Sequence, residues 1–199
     1  MNFAGEIQQR PIEITKDERW LRFINLPFII VTMTLLTHAI VGASAGKILS
    51  GGNIIVGSIF AFLSHFAIDA IRHGHYRLRS KVENKENRLD SDIVIGKNFF
   101  IDLIKLGFDF GLGLIFAQLF FNGPSLEIDW TIMLYAFLGT LPDALQFAYF
   151  KMRKEPLVSL QKFHIFIHSK RHFNHNPKMA ILVETATAFA SVLIAKFIF

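Results

Sequence analysis

His65, Asp69 and His73 stand four residues apart in the stretch FLSHFAIDAIRHGHY, residues 62–76. On a helix, the spacing i, i+4, i+8 stacks the three side chains along one face. The first half of the stretch is apolar and continues a second apolar run, NIIVGSIFA, at residues 53–61. Ionisable groups in so apolar a segment are costly unless they pair, line a wet cavity or bind a metal. Similar residues recur in other apolar runs. His38 lies in THAIVGASAG, and Asp143 follows Pro142 in GTLPDALQF. His164 and His168 lie four apart in FHIFIHS, the helical spacing for a two-histidine chelate.

Imidazole nitrogen with carboxylate oxygen is a suitable ligand set for zinc or another transition metal. The chain has no cysteine, so thiolate sites and disulfides are excluded. His65, Asp69, Asp143, His164 and His168 are therefore read as one shared polar site. The residues alone leave two chemistries open there, a divalent metal and a hydrogen-bonded proton relay. Pro142 removes a backbone N–H beside Asp143, which frees a carbonyl and kinks or breaks its helix. A lone intramembrane histidine such as His38 reads as an interhelical hydrogen-bonder. Asp109 lies within reach of Lys105, and so does Asp102, at i, i+4 and i, i+3 spacing. His73, or a spare carboxylate such as Asp109, is the candidate general base. His172 and His175 read as solvent or headgroup contacts, and Lys196 as a snorkelling end residue.

The elements that must hold these residues read as membrane helices. Five apolar runs, at 26–49, 53–72, 99–121, 130–150 and 179–199, have the length of bilayer spans. A glycine pair at 51–52 marks a tight turn between the first two. Small residues at 39, 42, 43, 45 and 46 permit close helix packing, and G-x-x-x-G at 107–111 suggests the same for the third run. Leu157, Leu160, Phe163 and Ile167 give residues 157–170 the pattern of an amphipathic helix on the membrane surface. The polar loop 77–98 is dense in charge and is expected to be solvated and mobile.

Basic residues fix the expected orientation. Eighteen of the 21 lysines and arginines fall before the first run, after the second or after the fourth. The connection NGPSLEID between the third and fourth has none. This is the positive-inside pattern, with the N-terminus cytoplasmic and the C-terminus outside. The alternative is six crossings, with VSLQKFHIFIH re-entrant. Residues 1–25 carry acidic and basic groups before any apolar run and read as a cytoplasmic segment rather than a signal peptide. Residues 26–199 read as one transmembrane domain with cytoplasmic loops 73–98 and 151–178. On this topology His38, His65, Asp109 and Asp143 lie near mid-membrane, with Asp69 deeper toward the cytoplasm, so separate helices converge in the central-to-inner half. The net charge of +5 then reads as topology and lipid contact. No nucleic-acid-binding motif is present.

THAIVGASAG, FLSHFAIDAIRHGH, GTLPDALQF and FHIFIHS together resemble the small membrane-bound, metal-dependent hydrolase-like proteins of the YdjM type. That family shares a distant motif style with zinc-dependent phospholipase C. The resemblance covers most of residues 37–175. It implies a helical membrane bundle whose metal site faces the cytoplasmic half of a bacterial plasma membrane. It adds His38 to the metal ligands, matching the Thr-His element of the family. His65 and Asp69 match the helical His…Asp piece, Asp143 the Pro-Asp acid, and His164 with His168 the late histidine pair. Two departures stand out. Gln146 occupies the place of a second acid after Pro-Asp, and FHIFIHSKRHF stands in loosely for the family's HRGxTHS element.

The leading expectation is an integral membrane hydrolase, dependent on a divalent metal (zinc first, manganese or iron next). It would act on a phosphoester or other ester at the cytoplasmic leaflet, with membrane lipids as partners. A metal or proton transporter is the second reading. The nearly non-polar outer halves of the runs and the lack of internal repeats count against it. The third is a structural or regulatory membrane protein whose buried polar groups only specify packing.

Overall fold

The computed structural model describes residues 34–74, 78–84, 86–169, 173 and 176–198. The N-terminal segment, residues 26–33 of the first expected span, His172 and His175 lie outside the described residues. Six helices follow in chain order: α1 (Thr34–Leu49), α2 (Ile54–Asp69), α3 (Lys97–Asn122), α4 (Trp130–Met152), α5 (Leu157–Ile167) and α6 (Pro177–Ile198). Two short strands, β1 (Lys81–Val82) and β2 (Asp92–Ile93), flank a 3₁₀ turn at Arg88–Asp90 between α2 and α3. The fold is all-α.

Local chemistry sets the boundaries. Gly51 and Gly52 adopt positive φ (52° and 83°), which lets α1 reverse into α2. Asn53 then caps α2 through its side-chain oxygen, which accepts from the amides of Ile55 and Val56. Asp129 caps α4 in the same way. The four expected helices from 53 to 170 and the last from 179 all occur, within a few residues of the expected limits.

α1 occupies the centre and packs against α2, α3, α4 and α6. Its buried face is built from small residues. Ala39 and Ala43 meet Ala117 of α3 and Ala136 of α4. A Cβ on Gly42 would fall 2.7 Å from the Cα of Gly139, so α1 and α4 cross with glycine facing glycine. Leu36 and Ile40 pack on Ala188 and Val192 of α6. The G-x-x-x-G of α3 does not serve this purpose. Cβ atoms at Gly107 or Gly111 would meet nothing, and it is Gly113 that lies against Leu36 and Ala39. The motif spacing was right for a helix face, but that face points outward.

The large apolar side chains are on the outside. Ile55, Ile59, Ile104, Phe108, Leu182 and Phe189 are all exposed, while His38, His65, Asp69, Asp102, Asp109, His164 and Glu184 are buried. Of the described helices, one is both long and apolar enough to cross a bilayer, at Pro177–Phe197 (21 residues, mean hydropathy 1.7). α1 and α2, as described, have 16 residues each, about 24 Å at 1.5 Å per residue. α3 is long but carries Lys97, Asp102, Lys105 and Asp109. The expected count of five spans is therefore not supported by helix length and composition.

Much of the loop 77–98 is exposed, as its charge predicts, but it is not left to solvent alone. Its described part is folded and pinned. Lys81 pairs with Ile93 and Val82 with Asp92 in an antiparallel ladder. Buried Asp102 of α3 accepts from both the amide and the hydroxyl of Ser80, each at 2.8 Å. Tyr149 of α4 donates its hydroxyl to the Leu89 carbonyl, and Arg153 donates to the carbonyls of Leu89 and Ser91. Lys151 pairs with Asp92 at 2.7 Å. Ile93 packs on Tyr149 and Phe150. Charge density pointed to solvent, but the partners lie on α3 and α4, outside the loop itself.

Candidate metal centre

Four helices bring the site together. α1 supplies His38. α2 supplies His65 and Asp69 one turn apart, with His73 just beyond its end. α4 supplies Asp143, and α5 supplies His164 with His168 as its C-terminal cap. All six expected metal ligands, and His73, converge here. His38, His65, Asp69, His73 and His164 are each no more than 4% exposed. The side chain of Asp143 is 37% exposed.

Asp69 is the hub. Its Oδ2 lies 3.2 Å from Nε2 of His65 and 2.5 Å from Nε2 of His164. Its Oδ1 lies 3.4 Å from Nε2 of His38 and 3.8 Å from Nε2 of His73. The rings of His38 and His65 stack with centroids 4.2 Å apart. The segment after α5 is tied to the end of α2 by main-chain bonds, from Ser169 N to the Asp69 carbonyl and from Phe173 N to the His73 carbonyl. Glu184 of α6 accepts from the amide of Gly74 at 3.1 Å, which draws α6 to the same end.

The tautomer of His65 follows from its neighbours. Nδ1 lies 2.9 Å from the carbonyl of Gly139, and a carbonyl only accepts, so Nδ1 carries the proton. Nε2 then presents its lone pair in the neutral ring. That atom is buried and has no hydrogen-bond partner. It faces Asp69 at 3.2 Å and Asp143 Oδ1 at 3.6 Å. Three electron-rich atoms thus converge, two of them on buried side chains, an arrangement that favours a cation among them. Gly139 is well placed for its role. Pro142 lacks the N–H that Leu138 would otherwise receive, and the ladder is broken one residue from the carbonyl that receives His65. His73 repeats the pattern, with Nδ1 donating to the Ile71 carbonyl at 2.7 Å and Nε2 turned to Asp69. Such main-chain bonds orient metal-binding imidazoles.

Three groups of potential ligand atoms lie within 4.8 Å of one another: His38, His65, Asp143; His65, Asp69, His164; and Asp69, His73, His168. The first and third share no residue. Seven ligands exceed the usual four of a tetrahedral zinc. Asp69 lies between them, with Oδ2 facing His65 and Oδ1 facing His38 and His73, and it would be the carboxylate common to both if two metals were held. Half-buried His168 belongs to the third group, and burial pushes its imidazole down to about 4, so the ring is neutral near pH 7.

Asp109 lies apart from these groups. It is buried, and its Oδ2 accepts from the amide of Leu36 at 3.1 Å. Lys105 lies 3.9 Å from Asp102. The sequence reasoning missed Gly139, whose part is played by the main chain. Glu184 reads from the sequence as a snorkelling residue or a partner of a basic loop, and in the structure it accepts from the amide of Gly74. The Pro142 signal pointed within three residues of Gly139.

A scan against family models, a search of curated proteins and a search of solved structures each return no match.

Proposed function

We propose that this protein is an integral membrane hydrolase that uses a divalent metal at the His65–Asp69–Asp143 centre. The observation that carries the reading is the unpartnered Nε2 of His65, aimed between two carboxylates. Zinc suits the nitrogen and oxygen donors best, with manganese or iron next. The metal would supply a water activated near neutral pH and a polarised ester oxygen. The residues would do the rest. Asp69 would tie the two halves of the ligand set together. Gly139 and Ile71 would fix the imidazoles of His65 and His73. Asp143, whose side chain is 37% exposed, would meet the incoming ester and water.

The membrane part of the reading rests on the inverted distribution of side chains. Small residues and several ionisable ones share the interior with apolar side chains, and many large apolar residues lie on the outside, which suits lipid as the solvent. We read α6 as one span. α1, α2, α3 and α4 would complete five, and α5 would lie on the cytoplasmic surface of a bacterial plasma membrane. Kinship with the YdjM-type proteins belongs to the same proposal, supported by the motifs of this chain.

The run of imidazoles from His38 through His65 and His73 to His168 favours a proton relay as the second reading. Elemental analysis of the purified protein, with turnover of soluble and lipid phosphoesters, separates the two. A relay needs no metal and hydrolyses nothing.

A further inference from the structure

The hairpin between α2 and α3 raises a question that the metal centre alone does not answer. A solvated basic loop needs no anchors, yet this one is fixed by Asp102, Tyr149, Lys151 and Arg153. The anchors hold Lys81 and Arg88 over a cleft that they share with Gln146 of α4 and with Gln161, His164 and His168 of α5. His164 and His168 also belong to the metal-capable groups, so the cleft opens directly onto the centre. The ion pairs that tie the hairpin to α4 use Asp92 and Asp90. Neither consumes Lys81 or Arg88.

Lys81 is half-buried, and burial lowers the affinity of its ammonium for a proton. Glu83, which is exposed and also lines the cleft, and Asp143 steady its charge, and Arg88 opposes it. Two cations of like sign, one of them desolvated, lie beside two amide side chains. Such a set gains most from an anion with several oxygens, because guanidinium and ammonium groups form charge-assisted bonds to phosphate. The cleft is narrow, with a free volume of about 20 Å³, roughly what one water needs. The anion would displace water, and the long side chains of Lys81 and Arg88 would turn to receive it.

We infer that this cleft is the phosphoryl subsite of the centre, in which Lys81 and Arg88 hold the anionic oxygens of a phosphoester against His164 and His168. The inference names the substrate class of the proposed hydrolase and rests on that reading for its chemistry, though anion binding can be read without it. The phosphoester is either a lipid headgroup or a small soluble molecule, since both present the same group.

The test uses the full chain in uncharged maltoside micelles. Inorganic phosphate, glycerol phosphate and micelle-borne phosphatidic acid are titrated against the wild type and Lys81→Met/Arg88→Met, with metal content measured on each sample. The expected result is at least tenfold weaker phosphate binding in the double variant, with metal content and melting temperature unchanged. Lys81→Arg restores binding if charge is what matters, and it keeps the test valid should the double variant fold poorly. Phosphatidic acid bound far more tightly than glycerol phosphate or inorganic phosphate identifies the lipid source, and equal binding of glycerol phosphate the soluble one. Equal phosphate affinity in wild type and variant overturns the subsite, as does no phosphate binding by metal-loaded wild type. Metal-free wild type that still binds phosphate through Lys81 keeps the subsite and removes the hydrolase.

Discussion

His65 donates through Nδ1 to the carbonyl of Gly139 at 2.9 Å, and this bond decides which ring nitrogen faces Asp69 and Asp143. The carbonyl sits where α1 and α4 cross on paired glycines. Packing and site chemistry therefore meet at one residue, and substitutions there should disturb both.

Gly139→Ala is expected to cost about 1–3 kcal/mol, the usual range for overpacking. Its Cβ would lie 2.5 Å from the His38 carbonyl, on the helix that carries a ligand. Metal affinity should fall with stability. Gly107→Ala, where the new Cβ meets nothing, should change stability by less than about 0.5 kcal/mol. Thermal unfolding of the two variants in the same detergent, with metal titration, makes the comparison. Equal melting temperatures would contradict the close α1–α4 crossing.

Asp69→Asn keeps an oxygen that can accept from His164 but loses the charge shared between the two ligand groups. Binding at both positions should weaken, while the helical circular dichroism stays unchanged. Metal titration followed by dialysis checks this. Undiminished stoichiometry in the variant would show that Asp69 is not a bridge.

Asp102→Asn addresses the hairpin. The carboxylate accepts two bonds from Ser80, and bonds to a buried charged group contribute roughly 1.5–3 kcal/mol each. The variant should release the hairpin while leaving the helices folded. Hydrogen exchange at Val94, whose amide bonds the Ser80 carbonyl, should accelerate well before that of α1. Unchanged exchange would return the loop to the solvated state read from its charge.

The hairpin should also loosen in acid. The hydrogen bond from Lys151 holds the Asp92 carboxyl below its usual range. A carboxylate so lowered contributes stability that is present above the unfolded value of about 3.9 and lost as pH falls through the lower folded value. The pair is exposed, so its worth is under about 1 kcal/mol. Exchange at Ile93 compared at pH 5 and pH 3 should show the loss in the wild type but not in Asp92→Asn.

Much of this was legible in the sequence, for local reasons. The helices follow from apolar periodicity, and the α1–α2 turn from adjacent glycines. His65 and Asp69 are a one-turn pair, and the Thr-His, Pro-Asp and paired-histidine elements pointed to the other ligands. What failed depends on direction and distance. Gly107 and Gly111 have the spacing of a packing motif but face outward, because the neighbour of α3 lies on the Gly113 side. Asp109 looked spare, yet the amide it serves is 73 positions away. The hairpin looked mobile because its anchors lie on other helices.

The central claim is that His65, Asp69 and Asp143 hold a metal. The direct measurement is elemental analysis of the detergent-purified protein beside His65→Ala/Asp143→Ala. The account predicts one or two equivalents of zinc, manganese or iron in the wild type, and loss from the variant. No metal in either, with equal melting temperatures, would contradict it and leave the buried histidines as packing groups or a proton path.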